Sequence, residues 1–165
     1  MTTSAGPTRS TPIGTQLMAI LRAPTTAYLD PVVDTLVDNG ITCVEVTLTI
    51  PGAVPAIQRL RPRLPASVSL GAGTVTTARQ AVTCVQAGAS FLVSPGLIHQ
   101  AVEVALEHRL PCYPGAWTCT EVLSAWHAGA SAVKIFPAGL AGPAHLRFLR
   151  EPLPGIPFLV TGGCR

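Results

Sequence analysis

Short apolar runs rich in β-branched residues recur along this chain at intervals of roughly 20 to 25 residues, and a helical pattern follows each of them. The runs fall at 17–21, 43–48, 68–71, 91–93, 111–113, 132–136 and 158–160. A strand, a short loop, a helix and a second short loop fill such an interval. A crossover helix between successive strands makes them parallel, so the repeat predicts a parallel sheet built from βα units.

The helices between the runs carry readable ends. Asp30-Pro31 offers an N-cap followed by an N1 proline, Leu29, Val32, Val33, Leu36 and Val37 form an apolar stripe, and Asn39-Gly40 closes it. Thr118 and Glu121 have capping-box spacing, and Gly129 marks that helix's stop. Asn39-Gly40, Ala87-Gly88 and Ala128-Gly129 all stand shortly before a strand. Parallel βα repeats close into a TIM (β/α)₈ barrel or open into a doubly wound sheet, and the G-x-G-x-x-G fingerprint of the dinucleotide-binding version is absent. The expected fold is therefore α/β, an incomplete TIM barrel of about seven strands with the last helix, eighth strand and closing helix missing.

With 165 residues, 48 % of them hydrophobic and 12 % charged, the chain is predicted to form one domain over 14–165 behind a disordered leader over 1–13. A net charge of +3, scattered along the sequence, gives no footprint for nucleic acid. No apolar window reaches the roughly 18 residues of a membrane span, so no membrane partner is expected and a cytoplasmic location is. Cys43, Cys84, Cys112, Cys119 and Cys164 form no CxxC pair and read as reduced thiols, mostly filling core positions.

Lys134 is the only lysine of the chain, and it interrupts an apolar strand, Ala132-Val133-Lys134-Ile135-Phe136, on the face of Ala132 and Phe136. Burial lowers a lysine pKa and frees the neutral amine as a nucleophile toward a ketone; a strand-end lysine reaching solvent would leave the same trace. Glu45 interrupts Cys43-Val44-Glu45-Val46-Thr47 in the same way. Helices cover the outside of a parallel barrel, so both charges are expected to point inward, as proton-transfer and nucleophilic groups or as a structural ion pair. Gly71-Ala72-Gly73-Thr74 and Thr161-Gly162-Gly163 follow strands, where glycines permit close ligand approach or simply form tight turns. Arg22 ends the first strand and could hold a carboxylate or phosphate, or be a surface arginine. Arg59, Arg61 and Arg63 read as a solvated helix end, and Trp117 as a packing residue that could also line the barrel mouth.

Together, Glu45-Val46-Thr47-Leu48, Gly71-Ala72-Gly73-Thr74-Val75, Val93-Ser94-Pro95-Gly96, Pro114-Gly115, Lys134-Ile135-Phe136-Pro137-Ala138 and Thr161-Gly162-Gly163 resemble the 2-keto-3-deoxy-6-phosphogluconate (KDPG) and 4-hydroxy-2-oxoglutarate (KHG) aldolase family. The resemblance implies a class I aldolase on a (β/α)₈ barrel, a homotrimer without metal or cofactor. It makes Lys134 the Schiff-base lysine and Glu45 the proton shuttle. Thr74 would hold the pyruvyl carboxylate, Thr161 would lie near the substrate hydroxyls, and Gly162 with Gly163 would form part of the phosphate site. Arg22 looks like the strand-one arginine of the related phosphogalactonate aldolases. Many members carry an arginine where this chain has Thr49, and the family continues through an eighth strand that completes the phosphate site. The implied reaction cleaves a phosphorylated 2-keto-3-deoxy sugar acid to pyruvate and glyceraldehyde 3-phosphate. The alternatives are KHG or phosphogalactonate aldolase activity, or a noncatalytic, truncated remnant.

Overall fold

In the computed structural model, residues 17–163 are described, and the leader expected at 1–13, like Cys164, lies outside them. Strands and helices alternate throughout: β1 (Ala19–Leu21), α1 (Leu29–Asp38), β2 (Cys43–Thr47), α2 (Ala53–Leu60), β3 (Ser69–Gly73), α3 (Ala78–Gln86) and β4 (Leu92–Val93), then α4 (His99–Glu107), β5 (Cys112–Tyr113), β6 (Gly115–Ala116), α5 (Cys119–Ala128), β7 (Val133–Ile135), α6 (Gly142–Arg150) and β8 (Phe158–Val160). Every strand pairing is parallel, in the orders β1-β2-β3-β4-β5 and β6-β7-β8. The fold is an α/β barrel of the TIM type, with β1 and β8 each paired on one side among the described residues.

The fifth run of the sequence carries β5, and a second short segment, β6, follows just beyond it. Proline has no N–H to give a ladder, and Pro114 separates β5 from β6. The array nevertheless continues across it: Ser131 donates its amide to the Cys112 carbonyl at 2.9 Å, and Lys134 donates to the Pro114 carbonyl at 2.9 Å. Seven strand positions therefore remain, as the period predicts.

Alternation along the strands sorts their side chains into two compartments. Val44, Val46, Leu70, Ala72 and Leu92 pack outward with Val33, Ile57, Leu60 and Ala81 of the helices, and Val133 and Ile135 do the same with Val122 and Ala125. Cys43, Phe91, Val93, Tyr113 and Ala132 fill the interior together with Met18 and Leu159. The Phe91 and Tyr113 rings meet edge to face at 5.8 Å. A Cβ at Gly71 would overlap the Phe91 ring, so that glycine makes room for an aromatic floor.

One local expectation is corrected and another is extended. Helix α1 begins one residue before Asp30, and its N-cap position is Tyr28, which has no side-chain cap bond. Asp30 instead accepts from Arg59 at 2.8 Å and Arg63 at 2.6 Å, and Arg63 also reaches Asp34 at 3.0 Å. The Arg59 hydrogen bond leads in holding the Asp30 carboxyl below its ordinary pKa, with Arg63 adding to it. Arg61 donates to the carbonyls of Val68, Leu64 and Pro65. The three arginines thus end the helix as expected, Arg59 and Arg63 exposed, and in addition tie α2 to α1 and to the loop before β3. The capping box of α5 forms as expected, with Thr118 and Glu121 satisfying each other's backbone N–H groups and Gly129 in the left-handed conformation at the far end.

Candidate active site

Glu45 sits at the centre of β2 and Lys134 at the centre of β7, both on the inward face. They are 1 % and 7 % exposed, which makes them the two buried ionisable chains among the described residues apart from thiols and Tyr113. Glu45 owes its room to Gly73, because a Cβ there would overlap the Glu45 carboxylate. Its Oε2 is buried and accepts no hydrogen bond among the described residues. Lys134 Nζ lies 5.1 Å from the centroid of the Phe136 ring, within cation–π range.

Burial dominates the electrostatics of both groups and pushes each toward its neutral form. The Glu45 pKa is raised by desolvation, against the lowering pull of Lys134 and then Arg22. The Lys134 pKa is lowered by desolvation, against the opposing effect of Glu45, and Arg22 lowers it further. Ammonium and carboxylate are close enough to feel each other, yet no hydrogen bond or ion pair joins them. Groups held toward their neutral forms in this way have pKa values nearer to one another than in water, which suits proton exchange with a third molecule.

The remaining sequence-predicted residues stand at strand ends on the same side of the barrel. Arg22 follows β1 directly and is exposed, and its charge reaches both Glu45 and Lys134. Thr74 follows β3 with φ +60°, an uncommon conformation for a non-glycine residue and one that clusters at functional sites. Thr161 follows β8 and is buried, with Oγ1 lacking a partner among the described residues. Gly162 and Gly163 take φ +87° and +73°. At Gly162 a side chain would crowd Phe136, and the Gly162 carbonyl accepts the Gly139 amide at 2.7 Å. Trp117 lines a cleft with Pro95, Gly96, Gly115 and Phe136, and its ring stacks on His145 with centroids 4.3 Å apart.

The sequence offers Gly73 as clearance for a ligand or as part of a tight turn, and it leaves Phe136 unassigned as the ring beside the amine. The alternation that places Lys134 and Phe136 on one face was the available signal for the second. For Gly73, replacement by alanine is expected to cost about 1–3 kcal/mol, the usual range for overpacking, read from the urea midpoint. Gly96→Ala is the control, since no atom lies within 4 Å of a Cβ there.

Fold and site define a class: a parallel (β/α) barrel whose interior holds one buried amine and one buried carboxylate, an arrangement suited to carbonyl chemistry. The aldolase family model described as KDPG and KHG aldolase matches residues 12–165, and the chain belongs to that family. It is 34 % identical over 149 residues to a 2-dehydro-3-deoxy-phosphogluconate aldolase of Pseudomonas aeruginosa, covering 90 % of this chain and 67 % of the relative. The enzyme of the same description from Treponema pallidum is 42 % identical over 134 residues, covering 81 % and 63 %. The chain thus spans about two thirds of these relatives' length. A KDPG aldolase from Legionella pneumophila, solved with pyruvate captured as a covalent carbinolamine intermediate, superposes with a TM-score of 0.86 at 28 % identity, covering 94 % of this chain and 78 % of that one.

Proposed function

We propose that the protein is a Schiff-base aldolase that cleaves 2-keto-3-deoxy-6-phosphogluconate to pyruvate and glyceraldehyde 3-phosphate. The observation that carries this reading is the buried, unjoined pair of Lys134 and Glu45 in the barrel interior. Neutral Lys134 adds through Nζ to the C2 carbonyl carbon, the carbonyl oxygen leaves as water after taking up two protons, and an iminium results. A base removes the proton of the C4 hydroxyl. The C3–C4 electrons then move into the iminium, and glyceraldehyde 3-phosphate departs. Protonation of the enamine at C3 and hydrolysis by water release pyruvate and the free amine.

Glu45 takes and returns these protons. Its raised pKa suits that role, because a carboxyl that protonates more readily can serve as an acid as well as a base. Arg22 and Thr74 receive the carboxylate, Thr161 the hydroxyls, and Gly162 with Gly163 part of the phosphate. We read the protein as a cytoplasmic homotrimer of the Entner-Doudoroff pathway, on the family resemblance.

The test is cleavage of the phosphorylated substrate beside 4-hydroxy-2-oxoglutarate, which uses the same imine and needs no phosphate site. Cleavage of the phosphorylated compound at the higher kcat/KM is expected; preference for the other would assign the chain the KHG reaction. Borohydride trapping of pyruvate should rise with pH as Lys134 loses its proton, with a midpoint below the ordinary lysine value of about 10.4 because burial disfavours the ammonium. A midpoint at or above that value would contradict a desolvated nucleophile.

A further inference from the structure

Thr49 stands where many family members carry an arginine, and its hydrogen bonding gives it another role. Thr47 is fully buried at the end of β2, and its hydroxyl donates to the Leu21 carbonyl at 2.8 Å. A hydroxyl has one hydrogen, so in the 3.0 Å contact between Thr47 Oγ1 and Thr49 Oγ1 it is Thr49 that donates. A chain of two bonds therefore runs from the exposed Thr49 through Thr47 to the last residue of β1. The next residue is Arg22, whose charge reaches Glu45 and Lys134 and whose side chain makes no hydrogen bond or ion pair among the described residues. Strand β1 pairs on one side only among those residues, with Leu21 in register with Val46 of β2.

We propose that Thr47 and Thr49 are positioning residues for carboxylate recognition: they clamp the end of β1 and thereby aim Arg22 at the carboxylate of the 2-keto acid. This rests on the Schiff-base reading above. An exposed, unpaired arginine samples many rotamers, and fixing its backbone carbonyl restricts where its guanidinium can go. The threonine at 49 then supports a cation supplied by strand one, in place of supplying one itself.

The experiment uses the full chain and borohydride trapping on Lys134 with two ketones, pyruvate and acetone, of which only the first has a carboxylate. The readout is the ratio of their half-saturating concentrations. Arg22→Ala should lower the preference for pyruvate about 10- to 100-fold, as expected for a charge-assisted bond. Thr47→Val should lower it about 3- to 10-fold, a single neutral bond's worth, and Thr47→Ser should restore it. In the Arg22→Ala background, Thr47→Val should lower it no further, because the clamp acts through Arg22. Should Thr47→Val fail to fold, Thr49→Val breaks the same chain at an exposed site and should lower the preference about 2- to 3-fold. A pyruvate preference unchanged in these threonine variants, or equal losses with and without Arg22, overturns the clamp alone. Absence of any adduct on Lys134 in the wild-type chain overturns the Schiff-base reading and the clamp with it.

Discussion

Lys134→Met is expected to abolish cleavage, by roughly 10⁴-fold or more, the scale on which loss of a covalent nucleophile is felt. Methionine matches the lysine stem in length and flexibility and lacks only the amine. Lys134 is 7 % exposed and makes no salt bridge among the described residues, so methionine fills the same buried space, and a thermal melt of the variant checks that the fold is retained. Pyruvate with borohydride should add one reduced pyruvyl group to the wild-type chain, located on Lys134 by peptide mass mapping, and none to the variant. The chemistry leaves one competing amine, the α-amino group, since this chain has no other lysine. Labelling confined to that amine, or turnover retained in Lys134→Met, would remove the Schiff-base assignment.

The strands and the two central charges were legible because each leaves a periodic trace. A single charge inside an apolar run fixes its own face, and the helices of a parallel barrel claim the other face, so Glu45 and Lys134 were bound to the interior. Partners distant in sequence leave no such trace. The contacts of Arg59 and Arg63 with Asp30 and Asp34 span 29 to 33 residues, and three arginines around a proline look the same whether solvated or paired. Asp30-Pro31 resembles a helix start, yet the carboxylate had a stronger offer from two guanidinium groups than from backbone N–H groups. The break at Pro114 was legible in principle, because proline cannot donate. What the residues could not reveal is that the neighbouring strand would keep its amides on the Cys112 and Pro114 carbonyls across the gap. Likewise, alternation gives the face of Gly73 but not the volume that Glu45 takes from it. The site is therefore legible as a set of residue types, while the distances that make it work belong to packing.

Glu45→Gln separates two consequences of one buried carboxyl. Glutamine keeps the shape and loses the exchangeable proton, so turnover should fall roughly 10²- to 10⁴-fold, the range for general acid–base catalysis. Glu45 is the influence that holds the Lys134 pKa up against desolvation and against Arg22. Its removal should therefore shift the midpoint of pyruvate trapping to lower pH, even as the chemical step slows. A side chain that only fills space would not produce that opposite pair of effects. Stability should move as well, and its sign follows from linkage. The folded pKa of Glu45 lies above the unfolded value of about 4.3. Its favourable contribution is thus complete below that value and is lost as pH rises through the folded pKa. Relative to glutamine, which does not titrate, Glu45 should cost stability at neutral pH and little at pH 4. Thermal melts of the two proteins at pH 4 and pH 8 measure this: a higher Tm for Glu45→Gln at pH 8 that shrinks toward zero at pH 4 is expected. Unchanged turnover together with pH-independent melting differences would make Glu45 a packing residue and leave proton transfer to another group.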